Sequence, residues 1–456
     1  SSDLSEAGRV RLRVEAPGFE PSTDDLRVRR DTRRTVTLSL AKVLETVTVG
    51  RDPQARASDP RSDAFATILG AAEIQELPDD PDEMERVLRE MAGPGAVLRV
   101  NGFRGGRLPP KEQIAQIRFH RNMFAADVHE PGFLGVDIIT KPGFDTWTGS
   151  AGSGIRNDAL NARNALAPRK VDERYTRGAF TASGPLWKKH TSLALSLDGT
   201  NTFDTATLVG TTLAGAFARA VGRPGTSLNG SARLEHALTS SHQARIEVQR
   251  THTSQRNLGI GNFDLESRAY SQQQNDTVVR GSLAGPLRKS GYSEWRLSYR
   301  DRSTAVASVV QAPTVVVMNA FTDGGAQRDG QSTSRQFDLA QDIDIARKRH
   351  ALRTGYLLEA GRSRTDERRN LLGTFTFSDL AAYRTGQPLT FSRTTGEASA
   401  AVTQVQVGSY VQDAVRITPR LTLSGGLRQE WQHGIGGVNI GPRGGLAWSP
   451  FRSGRT

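Results

Sequence analysis

The chain has 456 residues, a formal net charge of +12 and no cysteine. The lack of cysteine excludes disulfides and thiolate metal sites. No stretch approaches the roughly 18 consecutive apolar residues of a membrane-spanning helix, which excludes a helical membrane protein. A transmembrane β-barrel is not excluded, because its strands alternate apolar and polar residues and are polar on average.

The positive charge is spread along the chain instead of being clustered. Arginines are mixed with acids in stretches such as "RVRRDTRR" and "RSRTDERRN". Neither an aromatic-basic RNA-binding signature nor zinc-finger spacing is present. Nucleic acid is therefore not a predicted partner.

The first 44 residues predict part of a small β-sandwich. Two alternating segments, "VRLRV" and "TVTLSL", flank a stretch with a Pro-Gly turn, a pattern typical of short antiparallel strands. The first residues, "SSDLSEAGRV", contain neither an initiator Met nor an apolar leader segment. We therefore expect either that a leader segment has been removed or that the chain is a fragment.

Residues 45–63 combine a short β-prone segment with a linker. The segment is Glu45, Thr46, Val47, Thr48 and Val49, and the Pro-, Asp-, Arg- and Ser-rich residues after it have no periodicity. One interpretation is the last strand of the sandwich. The other is a strand that adds to the sheet edge of a partner protein, where main-chain hydrogen bonds supply the affinity.

Residues 64–146 predict a compact α+β unit. Asp80 is a candidate cap for a helix that starts at Pro81 and ends at Gly93. The apolar face of this helix is predicted to consist of Met84, Val87, Leu88 and Met91. Strand-like stretches follow in "AVLRVNGF", "KEQIAQIRFHRNMF" and "GVDIIT".

Two groups in this unit resemble metal ligands at first sight. His120 and His129 lie near Asp127, but their spacing of nine residues fits no zinc pattern. The acidic run of Asp79, Asp80, Asp82 and Glu83 suits a helix N-terminus, where the helix dipole favours negative charge. No metal, no other cofactor and no catalytic residue is predicted, and we do not expect an enzyme.

After Lys141–Gly143 the pattern changes to strand-like alternation. Residues 193–198, 244–249, 294–299 and 421–428 alternate apolar with polar or charged side chains. Such alternation matches the lipid-facing and lumenal faces of a membrane barrel, although a soluble β-sandwich shares it. Long insertions at 251–274 and 362–398 are typical of the loops of an outer-membrane barrel.

Residues 77–152, from "LPDDPDEM" to "TWTGSAG", resemble the plug of TonB-dependent outer-membrane transporters. The Oar-like subgroup, which has a carboxypeptidase-regulatory-like N-terminal extension, is the most similar. "RNDALNARN" resembles the first barrel segment of that family. "GSYVQDAVRITPRLTLSGGLRQEW" and "GPRGGLAWSPF" resemble its mid-barrel strands.

The resemblance implies a mainly β fold. Residues 147–456 would form part of a transmembrane antiparallel β-barrel, about half of the family's twenty-two strands. Residues 64–146 would be the plug and residues 1–44 a partial β-sandwich of the extension. Because "GPRGGLAWSPF" lies well inside family members, we expect the chain to end within the barrel.

The resemblance also implies a function. The protein would be an outer-membrane receptor of a Gram-negative-type bacterium that binds an extracellular solute and imports it. Glu45–Val49 would be the TonB box, and Asn101, Phe103 and Arg104 on a plug turn would contact the solute. Expected partners are TonB, outer-membrane lipid or lipopolysaccharide, and a solute that the sequence does not identify.

Two other functions stay open at this stage. The first is an outer-membrane adhesion or surface-interaction protein that uses the barrel as an anchor. The second is a soluble, basic, multi-domain β-protein that binds polyanions.

Overall fold

This computed structural model describes residues 9–14, 22–27, 67–120, 125–128, 135–141, 143, 146–160, 162, 170, 172–287, 291–418 and 420–448. The chain divides into two compact units, Ser1–Pro53 and Gln54–Thr456.

The first unit contains one antiparallel hairpin within its described residues. Strand β1 (Arg9–Val14) pairs with β2 (Ser22–Arg27) on the two sides of the predicted Pro-Gly turn. The alternation of "VRLRV" correctly predicts β1. The partner strand was not predicted, because "STDDLR" carries no apolar alternation. The stretch "TVTLSL" lies outside the described residues.

The second unit begins with a small α+β unit, residues 67–141, built on a five-stranded sheet. Its strands are β3 (Thr67–Leu69), β4 (Val97–Val100), β5 (Phe103–Arg104), β6 (Ile114–His120) and β7 (Gly135–Thr140). They are ordered β3-β6-β7-β4-β5, and β4 pairs parallel to β7. Helices α1 (Ala71–Gln75) and α2 (Pro81–Ala92) pack on this sheet.

Helix α2 begins and ends where the sequence predicts. The Asp80 carboxylate accepts hydrogen bonds from the N–H groups of Asp82 and Glu83, at 2.8 and 3.2 Å. Gly93 ends the helix with a φ of 92°, a conformation that glycine adopts without strain. The capping residues predicted from the sequence therefore determine where this helix begins and ends.

The buried face of α2 differs from the prediction at one position. Met84 and Leu88 are fully buried and Val87 packs against the core, but Met91 is exposed and Ala92 is buried in its place. At 100° per residue, Met84, Leu88 and Ala92 span an arc of about 80°. Met91 lies about 20° beyond Met84, on the side away from Ala92, and therefore at the edge of the buried face. The core of the unit is completed by Ile74, Ile117, Val136 and Ile138.

The rest of the second unit is dominated by one twelve-stranded antiparallel sheet, here called the large sheet. Its strands are β8 (Thr148–Asn157), β9 (Arg174–Trp187), β10 (Thr191–Thr212), β11 (Gly215–Ala237), β12 (Gln243–Leu258), β13 (Tyr270–Leu287), β14 (Gly291–Ser308), β17 (Arg328–Arg347), β18 (His350–Arg369), β21 (Ser399–Thr418), β22 (Leu421–Gln432) and β23 (Asn439–Trp448). Each strand pairs with the next in this order. Among the described strands, β8 and β23 lie at the two edges.

Several strands are much longer than the roughly ten residues expected for a membrane crossing. Strand β12 continues to Leu258 and β18 to Arg369, so both extend into stretches that the sequence assigns to loops. The prediction was wrong there, because residues such as Thr, Ser and Gln continue to pair through their backbones after the apolar face has ended. After β12, β14 and β18 the connections at this end are therefore 259–269, 309–327 and 370–398.

The two ends of the large sheet differ. At one end the connections are short turns at 188–190, 238–242 and 348–349, whereas the long connections lie at the other end. Part of the long connections folds into a second sheet, ordered β16-β15-β19-β20. Its elements are β15 (Thr314–Val317), β16 (Phe321–Gly324), β19 (Thr374–Phe377), helix α3 (Leu380–Arg384) and β20 (Thr390–Ser392). This loop sheet encloses a small core around Val317, Phe321 and Phe377.

The two faces of the large sheet have opposite chemistry. The inner face, which contacts the α+β unit, buries polar residues that include Asp198, Asn229, Arg233, Gln249, Asp276 and Arg280. The outer face exposes Leu197, Trp295, Leu297, Tyr299, Leu423 and Leu427, each with 39–53% of its surface accessible. A soluble β-sandwich requires the reverse arrangement. The alternation in the sequence thus predicts the faces correctly, and they are those of a membrane barrel.

A short junction joins the α+β unit to the large sheet. The Lys141 N–H donates to the Gln113 carbonyl at 2.8 Å, and its Nζ donates to the Glu112 carbonyl at 2.9 Å. Strand β8 starts soon afterwards, at Thr148. Within the described residues no helix is both long enough and apolar enough to span a membrane.

Candidate functional site

The candidate site is the interface between the α+β unit and the inner face of the large sheet. A polar inner face follows from the sequence, because every second residue of the strands points towards the α+β unit. The contacts form three groups, centred on Asp198, on the glycine turn 101–106 and on residues 125–128.

Asp198 on β10 is the centre of the first group. The carboxylate forms an ion pair with Arg107 of the α+β unit and accepts from Arg177 Nε on β9 at 3.1 Å. Asn229 Nδ2 on β11 donates to it at 3.1 Å. The Asp198 side chain is only 7% exposed. One buried carboxylate therefore connects three strands of the large sheet, which is also called the wall below, to the α+β unit.

Arg107 also binds two other elements. Its guanidinium donates to both Asp82 oxygens at 3.0 Å, at the start of helix α2. Its backbone N–H and C=O both bond to the Gln249 side chain on β12, each at 3.1 Å. Burial lowers the pKa of Arg107, but hydrogen bonds to Asp82 and Asp198 outweigh this and raise it above its ordinary value. Arg107 therefore stays charged.

The second group is the glycine turn. Gly102, Gly105 and Gly106 all have φ between 74° and 81°, where a side chain is disfavoured. A Cβ at Gly102 would lie 3.0 Å from Cδ of Arg296, and one at Gly105 would lie 2.8 Å from Nη1 of Arg300. The glycines therefore allow a close approach of the turn to arginines of the wall.

The three residues predicted to contact solute lie in this turn but face different surroundings. Asn101 Nδ2 donates to Thr140 Oγ1 at 3.1 Å, and its Oδ1 accepts from the Thr140 N–H at 3.1 Å. Phe103 is buried, and the Arg280 guanidinium lies over its ring at 5.6 Å from the centroid. Arg104 is exposed. Of the three, Arg104 is the most exposed, Asn101 is partly exposed and Phe103 is buried.

The third group holds residues 125–128 of the α+β unit. Arg353 Nη1 on β18 contacts Asp127 at 2.7 Å. Arg443 Nη1 on β23 donates to the carbonyls of Ala125 and Val128 at 2.6 and 2.8 Å. Gln412 on β21 accepts from the Ala126 N–H at 2.7 Å, and Arg428 on β22 donates to the Ala126 carbonyl at 3.1 Å.

Sequence reasoning missed all of these wall residues. Arg353, Gln412, Arg428 and Arg443 are the polar members of alternating strands, so a signal was present in the sequence. Their partners in the α+β unit are as many as 318 positions away, and strand periodicity contains no information about such pairs. Asp127, considered above as a metal ligand, is an ion-pair partner of Arg353.

A cavity of about 420 Å³ lies between the α+β unit and strands β8 to β12. Arg107, Gln113, Asp198, Asn229 and Gln249 are among the residues that line it. The same cavity also has apolar surface, to which Leu108, Pro109 and Pro110 contribute, so it offers both polar and apolar contacts to a solute.

The predicted TonB-binding segment, Glu45–Val49, lies outside the described residues, as does His129. Within the described residues no group of three or more metal-ligating side chains is present.

A family model described as an outer membrane beta barrel domain matches residues 217–436. A comparison with curated proteins found no match to this sequence. Several solved structures are similar in fold although their sequences differ.

The outer membrane transporter YddB from Escherichia coli aligns with a TM-score of 0.61 at 10% identity, over 85% of this chain and 59% of that one. The siderophore receptor PirA from Pseudomonas aeruginosa aligns with a TM-score of 0.53 at 15% identity. The alignment covers 84% of this chain and 58% of that one. The ferric enterobactin receptor PfeA from Pseudomonas aeruginosa aligns with a TM-score of 0.55 at 15% identity. The alignment covers 88% of this chain and 61% of that one. The chain thus spans about three fifths of the length of these structures.

These findings, together with the apolar outer face, support an outer-membrane location for the chain. The fold is of the kind found in outer-membrane transporters and receptors. Those proteins are not enzymes.

Proposed function

We propose that this chain is part of a TonB-dependent outer-membrane receptor that binds an extracellular solute and admits it to the periplasm. The observation that carries the proposal is the position of the α+β unit. It lies against the polar inner face of the large sheet, where a plug would block the lumen of a barrel.

The chemistry of the interface suits a plug that must move. Its contacts are mostly ion pairs and hydrogen bonds, with the stacking of Arg280 on Phe103 as an exception. The main apolar core of the α+β unit lies within the unit itself. Polar contacts exchange readily for contacts with water, so separating the two surfaces exposes little apolar area. Such an interface favours local release over global unfolding.

The energy source in this proposal is TonB, pairing as a strand with Glu45–Val49. The chain contains no cysteine, so single cysteines at Thr46 or Thr48 provide clean crosslinking positions. In energised cells we expect disulfide adducts between these positions and cysteines in the TonB C-terminal domain. Ser58→Cys in the linker is the matched control and should give little adduct.

A second variant tests the mode of binding. Val47→Pro removes a main-chain N–H and should abolish the adduct at Thr46 or Thr48, because strand pairing requires that donor. Unchanged crosslinking in Val47→Pro, or equal crosslinking at Ser58, would rule out strand pairing with TonB.

The charged and polar side chains in the cavity give one indication of the solute. The solved neighbours include a receptor crystallised with enterobactin, a property of that protein. For this chain we propose a solute with polar groups that passes Arg104 and the cavity lined by Arg107, Asp198 and Gln249. Uptake of candidate solutes by cells carrying Arg104→Ala or the wild-type chain would test the role of Arg104.

An anchored adhesion protein remains the second candidate, and the loop sheet favours it. Long connections folded around their own core present a fixed surface to the outside. Deletion of Glu45–Val49 separates the two functions, since adhesion would persist whereas TonB-driven uptake would stop.

A further inference from the structure

The outer face carries a group of arginines that the proposed function does not use. Arg335 on β17 lies directly opposite Arg362 on β18, and Arg364 is the next residue of β18 on the same face. All three are exposed, and the Arg335 side chain is 66% accessible. We refer to Arg335, Arg362 and Arg364 as the outer arginine group.

The protein balances only part of the charge of this group. Asp301 lies 3.7 Å from Nε of Arg335, but no carboxylate in the described part of the chain pairs with Arg362 or Arg364. Like charges directly opposite each other on neighbouring strands destabilise a sheet. The arginines of the inner face, in contrast, are paired, as in Arg177 with Asp198 and Arg300 with Asp276. Within the described residues Arg362 and Arg364 therefore have no protein carboxylate as a partner.

The position of the group on the wall identifies where that anion would be. The next outward residue below Arg335 is Phe337, which is opposite Ala360, and Leu339 opposite Leu358 follows. Phe337 is two positions further along the strand than Arg335, a distance of about 7 Å. The guanidinium groups thus lie at the upper limit of the apolar band of the outer face, at the level of lipid headgroups.

The end of the sheet identifies the leaflet. The group lies towards the long connections 309–327 and 370–398, not towards the short turn at 348–349. In outer-membrane barrels the long connections face the exterior and the short turns face the periplasm. The headgroups at this level are therefore those of the outer leaflet.

Hydroxyl groups border the arginines. Thr403 on β21 is opposite Arg362, and Thr333 on β17 is opposite Arg364. Arginine binds phosphate oxygens with two parallel hydrogen bonds, and a hydroxyl can donate a further one. The chemistry of the group is thus suited to phosphate.

We propose that the outer arginine group binds a phosphate of the outer-leaflet glycolipid, lipopolysaccharide. Arg362 and Arg364 hold the phosphate, and Arg335 adds charge from the neighbouring strand. Acyl chains of the same molecule lie along Phe337 and Leu358 below. The lipid supplies the negative charge that the protein lacks at this position.

The test measures lipid binding to the purified full chain in uncharged detergent by native mass spectrometry. The probes are lipid A with two phosphates, the same lipid with both phosphates removed, and inorganic phosphate. The double variant Arg362→Gln/Arg364→Gln should bind diphosphorylated lipid A at least about tenfold more weakly than wild type. Heat-modifiable gel mobility reports whether each variant is folded.

A matched double variant controls for charge. Arg219 and Arg223 on β11 already hold carboxylates, since Arg219 pairs with Glu266 and Arg223 with Asp204, both at 2.7 Å. Arg219→Gln/Arg223→Gln removes the same charge and should bind diphosphorylated lipid A like wild type. Arg335→Gln, which leaves Arg362 and Arg364 in place, should give a smaller loss.

Three results would overturn the proposal. The first is equal binding of phosphorylated and dephosphorylated lipid A by the wild-type chain. The second is wild-type affinity for diphosphorylated lipid A in a folded Arg362→Gln/Arg364→Gln variant. The third is displacement of the lipid by inorganic phosphate at equal concentration, which would make this a site for free anions.

Discussion

Arg107 and Asp198 form an ion pair in which both side chains are at most 10% exposed, although 91 positions separate them in the chain. The pair joins the α+β unit to the wall directly. Its removal is therefore the sharpest test of how firmly the two parts are held together.

Asp198→Asn leaves Arg107 and Arg177 without their shared anion. Arg107 keeps its contact with the exposed Asp82, so we expect the local free energy of opening of residues 97–108 to fall by about 3 kcal/mol, the lower end of the cost of breaking a buried ion pair. Hydrogen exchange of the amides in that segment measures the effect.

The control for this prediction is an exposed pair. Glu266→Gln breaks the contact with Arg219, which is 67% exposed, and should change stability by less than about 1 kcal/mol. A double-mutant cycle of Asp198→Asn with Arg107→Gln isolates the coupling between the two groups. A coupling near zero would show that the ion pair does not hold the α+β unit to the wall.

Gly106→Ala should destabilise the interface through two effects. The residue has a φ of 81°, and a Cβ there would lie 2.7 Å from Oε1 of Gln249 and 3.2 Å from Cζ of Arg280. The backbone strain alone costs about 1–2 kcal/mol, and the displacement of Arg280 and Gln249 adds to it. Chemical denaturation of the folded chain in lipid vesicles gives the total.

Gly93→Ala separates the two effects. Gly93 has a φ of 92°, but no atom lies within 4 Å of the position of an added Cβ. It therefore reports strain without collision. Equal losses in Gly93→Ala and Gly106→Ala would contradict close packing of the turn against the wall.

Much of the fold could be predicted from the sequence, because helix ends and strand faces depend on residues that are close together in the chain. Asp80, Pro81 and Gly93 act within one helix, and the alternation of residues 193–198 sets which side chains face lipid and which face the α+β unit. Both patterns are short-range, so they can be predicted without coordinates.

The rest required the structure because it depends on distant contacts. Residues 314–317 pair in parallel with residues 374–377, and neither stretch indicates the other. The contacts of Arg353 and Arg443 with residues 125–128 are equally non-local. Strand lengths were underestimated, since periodicity marks where an apolar face ends but not where backbone pairing ends.

A charge on the outer face should be poorly tolerated in lipid. Leu297 lies between Trp295 and Tyr299 among the outward residues of β14 and is 45% exposed. Leu297→Arg should lower the free energy of unfolding from a bilayer by about 2–4 kcal/mol, the cost of arginine near the midplane. Guanidinium titration in vesicles measures it.

Val309→Arg is the matched control. Val309 is also exposed, but it lies past the end of β14 in the long connection 309–327. Its replacement should change stability by no more than about 0.5 kcal/mol. An equally small effect for Leu297→Arg would contradict contact of the outer face with lipid.

Gln327 joins the two long connections, and its loss should separate them. Its Nε2 donates to Thr314 Oγ1 at 3.0 Å and to the Gly373 carbonyl at 2.7 Å, and its Oε1 accepts from Leu372 at 2.7 Å. Gln327→Ala leaves several of these buried groups unsatisfied, at a cost of about 1–3 kcal/mol.

The measurement for Gln327→Ala is limited proteolysis by trypsin. Cleavage at Arg384 in the connection 370–398 should become several-fold faster, while the large sheet stays resistant. Gln331→Ala, at an exposed position of β17, is the control and should leave the rate unchanged. Unaltered cleavage in Gln327→Ala would show that the loop sheet does not depend on this side chain.

The junction at Lys141 has a consequence for any cycle of opening. Only a few residues link Lys141 to Thr148 of β8. An α+β unit that is released from the large sheet therefore remains tethered close to the inner face of that sheet. Re-docking is then a unimolecular event, at an effective concentration in the millimolar range for a short tether. Repeated turnover would therefore require no new copy of the unit, and the interval between openings would be independent of protein abundance.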